Sequence, residues 1–152
     1  MVIDCLIIIK PWLEKILSGE KDMEIRGSRT HKRGVIGLIE SGSRDIKGFA
    51  TVSDCLELDK QTFDGSVERH QIWGDVWDKL QYKRKFGWIL KNPVRLEKPI
   101  KYMHPRGAVV WVKVDLPVEV KNERMYINGR EIGERTEGQL RMLEPYSAEW
   151  RR

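Results

Sequence analysis

Residues 19–26 are the segment that most restricts how this chain can fold. Five of these eight residues are charged, yet Met23 and Ile25 alternate with Asp22, Glu24 and Arg26. Alternation with a period of two predicts a strand with one apolar face and one charged face. The charged face of such a strand directs polar groups into a cleft. The segment is therefore a candidate binding or catalytic site.

A buried strand and a short helix are predicted before this charged strand. Residues 2–9 form an almost unbroken apolar run, which is typical of a strand buried on both faces. Pro11 suits the first turn of a helix, and Gly19 suits its C-terminal cap. Apolar residues recur at helical spacing between Trp12 and Leu17. The order is thus strand, helix and charged strand.

Several further strands complete the predicted fold. They are expected at residues 35–40, 46–55, 86–90 and 107–114. Gly37 and Gly48 within them predict bulges or close backbone approach. Because short strands outnumber helices, the sequence favours an α+β, mostly β fold. This would be a small mixed or antiparallel β-barrel of about five or six strands, flanked by short helices.

The second half of the chain contains a polar insertion and a proline-rich stretch. Within residues 59–82, Trp73, Trp77 and Leu80 recur at helical spacing, which predicts a helix packed on the core. Three prolines predict a long connection before the last strand: Pro93, Pro99 and Pro105.

A change of character after residue 116 predicts a boundary. Residues 1–116 are expected to form the barrel domain, and residues 117–152 a C-terminal extension. Asn128-Gly129 predicts a hairpin over residues 124–132. A short helix is expected at residues 136–143. The extension is expected to cover the barrel, to contact another chain or to be mobile, and the sequence leaves these alternatives open.

Composition limits the class of protein. The 152 residues contain no run of 18 apolar residues, which a membrane-spanning helix would need. The first ten residues are typical of a strand rather than of a signal peptide. A cytoplasmic protein without membrane contact is therefore expected. Two cysteines in apolar runs predict buried thiols, and three separated histidines show no ligand spacing, so neither metal nor cofactor is expected. A net charge of +5 favours polyanionic partners.

An ordered set of motifs resembles the ASCH domain (activating signal cointegrator homology) of the PUA-like superfamily. It comprises Lys10-Pro11-Trp12, Gly19-x-Lys21-x-x-Glu24-x-Arg26, Gly34 before a strand, Gly48-x-Ala50, Trp88 in a strand, and Pro105-x-Gly107-Ala108. The resemblance covers roughly residues 2–115. It implies a five- or six-stranded barrel with a cleft that holds RNA or a nucleobase.

The residues of the charged strand fit such a cleft. Lys21, near a helix C-terminus and beside Glu24, is expected to keep its proton without a strong lowering of its pKa, and to grip a phosphate or polarise a carbonyl. Glu24 can accept from a base amino group, and Arg26 can clamp phosphate. The predicted ligand- or RNA-binding residues are Trp12, Lys21, Glu24, Arg26, Arg29, Lys32, Arg33, Trp88 and Tyr102.

Alternatives to RNA or nucleobase binding remain open. One is a hydrolase in the same cleft, either a ribonuclease for single-stranded RNA or an amidohydrolase of the N4-acetylcytidine type, with Lys21 and Glu24 as catalytic residues. In that amidohydrolase type the resemblance implies a threonine three residues after the lysine, where this chain has Glu24. Others are a protein-recruiting module, DNA in place of RNA, and a structural ion-pair cluster.

Overall fold

A curled six-stranded sheet forms the frame of the protein. The computed structural model describes residues 1–135 of the chain. The strands of this sheet are β1 (Val2–Ile8), β2 (Met23–Arg26), β3 (Gly34–Glu40), β4 (Asp45–Leu58), β5 (Lys85–Lys101) and β6 (Trp111–Asp115). Their order is β2-β5-β4-β3-β1-β6, with β1 and β3 parallel and the other neighbours antiparallel. The predicted mostly β fold is confirmed as a half-barrel flanked by short helices.

Helix α1 (Lys10–Ser18) begins and ends where the sequence indicated. A proline lies in its first turn, and Gly19 closes it in the left-handed region at φ 87°, where a glycine carries no Cβ penalty. Its apolar face buries Leu13, Ile16 and Leu17 against the inner side of the sheet. The chain leaves Gly19 directly into the short loop before β2, so the helix fixes the position of Lys21.

The prediction of a long connection after residue 90 is wrong, because β5 continues through Pro93 and Pro99 to Lys101. β2 pairs with β5 only from Phe86 to Ile89, so the later half of β5 has β4 as its partner on one side. A strand with an unpaired edge tolerates proline, which lacks an N–H to donate. Neither proline occupies a paired position with β4.

Close backbone approach explains one glycine in the sheet. A Cβ on Gly48 would lie 2.3 Å from the carbonyl oxygen of Val94 and 2.6 Å from Cδ2 of Leu17. The register between β4 and β5 also shifts beside Gly48. The expectation of bulges or close approach at this position is confirmed.

The insertion does not form the single helix that the tryptophan spacing predicts. It folds as α2 (Lys60–Asp64), α3 (Val67–His70) and a 3-10 turn at Trp77–Lys79. Trp73 is 60% exposed, whereas Trp77 packs against Phe63 with ring centroids 5.4 Å apart. The last strand of the half-barrel also begins later than expected, at Trp111. Within residues 1–135, no helix is long and apolar enough to cross a membrane.

A second, three-stranded sheet packs on the half-barrel. It consists of β7 (Val118–Lys121), which the sequence analysis missed, β8 (Arg124–Ile127) and β9 (Arg130–Glu134). The hairpin at Asn128-Gly129 is present between β8 and β9. Met125, Ile127 and Ile132 are buried in the same hydrophobic cluster as Ile3 and Phe49. The division at residue 116 stays a prediction, and the short helix expected at 136–143 lies outside the described residues.

Candidate functional site

A cleft of about 340 Å³ opens beside β2 and the end of α1. Three charged residues of the 19–26 segment line it: Lys21, Glu24 and Arg26. Its other walls are mainly apolar and include Ile7 and Trp12. We call this space the main cleft. An apolar cleft with a few converging polar groups is the usual form of a small-ligand site.

Lys21 is held at the main cleft by groups from three parts of the chain. Its side chain is 1% exposed. The ammonium donates a hydrogen bond to the backbone carbonyl of His70 at 2.5 Å, lies 3.7 Å from Oε1 of Glu24 and stands 4.8 Å from the centre of the Trp12 ring. The carbonyl, the carboxylate and the aromatic face all favour the cation.

Burial lowers the pKa of Lys21 from its ordinary value of 10.5 to about 8, and nearby Glu24 offsets part of this effect. The expectation that this pKa would not be strongly lowered is therefore wrong. The C-terminus of α1 does favour the ammonium, but removal of water from the side chain has the larger effect. At neutral pH most copies of Lys21 are protonated, and roughly a tenth are neutral.

Glu24 and Arg26 form a rigid pair on one face of β2. Arg26 donates to Oε2 of Glu24 from Nε at 3.2 Å and from Nη2 at 2.8 Å, and Nη2 also donates to the carbonyl of Ile7 at 3.1 Å. Glu24 is 5% exposed. Since Oε2 accepts both bonds from Arg26 and Oε1 lies beyond hydrogen-bond distance of Lys21, Oε1 has acceptor capacity for a ligand.

The insertion closes the main cleft and anchors Lys21, a role that sequence reasoning missed. The His70 ring stacks on Phe63 with centroids 4.2 Å apart, its Nε2 lies 2.8 Å from the Phe63 carbonyl, and its Nδ1 accepts from the N–H of Ile72 at 3.0 Å. This arrangement fixes the His70 carbonyl. Leu80 and Tyr82 of the same insertion also line the cleft. Because the anchor is a backbone oxygen, no side-chain pattern signals it.

The structure brings four of the predicted site residues together: Trp12, Lys21, Glu24 and Arg26. The three predicted cations of the loop between β2 and β3 do not line the main cleft, and each has a partner within the protein. Arg29 is 3.7 Å from Glu57, Lys32 is 3.0 Å from Asp4, and Arg33 donates to the carbonyls of Thr30 and Lys32. These contacts hold the loop against the sheet.

The two remaining predicted aromatics occupy different places. Trp88 is 2% exposed, stacks on Trp111 and donates to the carbonyl of Ser28, so it lies beneath the site as part of the core. Arg26 stands over its ring at 5.7 Å. Tyr102 lines a second cavity, next to the main cleft. Within residues 1–135, no group of three or more histidine, cysteine or acidic side chains is placed to hold a metal ion.

The family model of the ASCH domain matches residues 6–100, which include the charged strand, the insertion and most of β5. The chain belongs to the ASCH domain family. The match ends before β6 and the three-stranded sheet, so those elements of this ASCH protein lie outside it.

Solved structures agree with this assignment at the level of the fold. One variant of the ASCH protein from Zymomonas mobilis is similar with a TM-score of 0.56 and 17% identity, covering 72% of this chain and 87% of that one. Another variant of the same protein has a TM-score of 0.52 and 19% identity, covering 64% and 74%. Comparison with curated proteins finds no match to this chain.

Proposed function

We propose that this ASCH domain binds single-stranded RNA by holding one base or nucleotide in the main cleft. The observation that carries the proposal is the row of Lys21, Glu24 and Arg26 along one side of a largely apolar cleft. An apolar wall suits the face of a base, and the charged row suits its polar edge and the adjoining phosphate. Single-stranded RNA exposes both of these to a protein.

Each charged group has a distinct task in this proposal. Oε1 of Glu24 accepts from an exocyclic amino group of cytosine or adenine, because Oε2 is already occupied by Arg26. Lys21 and Arg26 each keep donors beyond those used within the protein, and these face phosphate or carbonyl oxygens of the ligand. Trp12, partly buried and beside the Lys21 ammonium, offers a face for stacking.

Arg26→Ala is expected to weaken binding of single-stranded RNA about tenfold or more, since a hydrogen bond to a charged group contributes roughly 1.5–3 kcal/mol. Fluorescence anisotropy with a labelled mixed-sequence oligonucleotide measures this at low salt. The affinity of the unmodified protein should fall as salt rises, by about 0.7 log units per log unit of salt for each phosphate contacted. Single-stranded DNA of the same sequence, titrated in parallel, tests the preference for RNA over DNA.

Lys98→Ala is the matched control, because it removes one positive charge from an exposed position of β5 that does not line the main cleft. It should change the affinity less than twofold. Equal losses in the two variants would mean that net charge alone drives binding, and unchanged binding in Arg26→Ala would refute the site.

Affinity for RNA is expected to fall as the pH rises from 7 to 9. Because the pKa of Lys21 is lowered to about 8, the free protein loses this positive charge in that interval, whereas an ordinary lysine keeps it. Lys21→Met should bind more weakly at pH 7 and show a flatter pH profile. Anisotropy titrations at four pH values measure both. If the RNA affinity of Lys21→Met falls with pH as steeply as that of the unmodified protein, Lys21 is not the group that causes the pH dependence.

A hydrolase in the same cleft is the second candidate, and the lowered pKa of Lys21 is the observation that favours it. The neutral fraction of this amine near pH 7 can act as a general base. Incubation with labelled single-stranded RNA and, separately, with N4-acetylcytidine tests the two reactions. Turnover that disappears in Lys21→Met supports the hydrolase. Binding without turnover supports recognition alone.

We also propose a cytoplasmic location, supported by the state of the cysteines. Cys5 and Cys55 are both free and buried, which suits a reducing compartment.

A further inference from the structure

A second cavity of about 360 Å³ adjoins the main cleft. The two spaces share three lining residues: Ile7, Ser41 and Val109. The main cleft and the second cavity are therefore parts of one groove. Each alone is at the small end of the range for ligand sites, about 300–1,000 Å³. Together they offer room for a ligand larger than one nucleoside.

A fixed set of polar groups lines the second cavity. Nε2 of His104 lies 2.9 Å from the carbonyl of Ala108, and its Nδ1 lies 2.9 Å from the hydroxyl of Tyr102. Because a carbonyl only accepts, Nε2 donates to Ala108, and in the tautomer with its hydrogen on Nε2 the ring accepts from Tyr102 through Nδ1. The hydroxyl oxygen of Tyr102 then keeps acceptor capacity. It can receive a hydrogen bond from a ribose 2′-hydroxyl.

One cation of this cavity is available for a phosphate. Arg44 lines the second cavity and is exposed. The neighbouring carboxylate, Asp45, lies 3.2 Å from Lys101 and 3.8 Å from Lys47. Within residues 1–135, Arg44 forms no salt bridge. An arginine without an acidic partner beside a binding groove suits the planar, two-pronged recognition of phosphate.

Exposed apolar side chains border the groove. Val109, on the wall common to both spaces, is 76% exposed, and Ile9 of the main cleft is 55% exposed. Apolar side chains at such positions give a base a surface to pack on.

We propose that the second cavity is a second nucleotide subsite, so that the ligand is an RNA strand of two or more nucleotides rather than a free nucleoside. This inference rests on the proposed function of the main cleft. One base occupies the main cleft beside Lys21 and Glu24. The neighbouring nucleotide occupies the second cavity, with its phosphate at Arg44 and its ribose at Tyr102.

A series of ligands of increasing length tests the second subsite. The probes are adenosine and cytidine, the dinucleotides made from them, and a mixed-sequence single-stranded tetranucleotide, each titrated against the full chain by calorimetry. The tetranucleotide should bind at least tenfold more tightly than either nucleoside. Arg44→Ala should remove about tenfold of the affinity for the tetranucleotide and leave nucleoside binding unchanged. Tyr102→Phe should narrow the preference for RNA over the DNA of the same sequence.

Arg130→Ala is the matched control, since Arg130 is an exposed arginine at the start of β9 that lines neither space. It should alter tetranucleotide binding less than twofold. If tetranucleotide and nucleoside bind alike, or if Arg44→Ala and Arg130→Ala have the same effect, the second subsite is refuted while the main cleft stands. If none of the probes binds, both proposals fail.

Discussion

Glu24→Ala is expected to lower the free energy of unfolding by about 3 kcal/mol, because it leaves two cations in the main cleft without their carboxylate. Lys21 is 1% exposed and Arg26 18% exposed, so water replaces little of the lost interaction. The carboxylate also accepts two hydrogen bonds from Arg26, and these donors lose their partner. Urea unfolding followed by circular dichroism measures the change.

Glu57→Ala provides a matched comparison for this measurement. Glu57 also interacts with two arginines, Arg29 at 3.7 Å and Arg84 at 2.6 Å, but its side chain is 42% exposed. Water and salt screen exposed ion pairs, so this variant should lose much less stability than Glu24→Ala. Similar losses in the two variants would mean that the carboxylate in the main cleft is no more important to the fold than one on the surface.

Ending the chain at residue 116 is expected to abolish cooperative unfolding, even though the family match stops at residue 100. The truncation removes Met125, Ile127 and Ile132, each at most 1% exposed, from the cluster that contains Ile3. Burial of one such side chain contributes roughly 1.5–3 kcal/mol, so three approach the whole stability of a small domain. Thermal unfolding followed by near-ultraviolet circular dichroism measures the loss.

A single substitution tests the same contact without removing a segment. Ile132→Ala should lower the free energy of unfolding by about 2–5 kcal/mol, because it opens a cavity in the shared core. Leu56→Ala, at a position 37% exposed, should lower it by less than about 1 kcal/mol. A truncated chain that melts like the full one would show that the half-barrel is stable without its second sheet.

Local patterns predicted much of the half-barrel. The proline and glycine at the ends of α1, the alternation in β2 and the Asn-Gly hairpin all act over a few residues, and the structure has each of them. The predicted strands were wrong where pairing between segments distant in the sequence decides how far a strand extends. β5 extends through Pro93 and Pro99 because β2 pairs with only the first part of it. The spacing of residues in the sequence does not indicate which edge of a strand lacks a partner.

The candidate site was predicted in its residue types but not in its surroundings. Lys21, Glu24 and Arg26 line one cleft, in keeping with the spacing of the motif. The depth at which Lys21 is buried depends on His70, which lies 49 positions away and contributes a main-chain oxygen. Their positive charge predicts Arg29 and Lys32 as ligand contacts, but the carboxylates that pair with them, Glu57 and Asp4, come from strands β4 and β1.

The long strand β5 has a consequence for redesign of the groove. Its first residues pair with β2 behind Glu24, and its last residue, Lys101, leads directly into Tyr102 of the second cavity. Both spaces thus lie along β5, but different segments border them: residues 59–82 at one end and residues 102–110 at the other. In the proposed two-subsite arrangement, exchanging residues 102–110 for a segment of another length would alter the length of the RNA that is bound, while the choice of base stays with Glu24 in the main cleft.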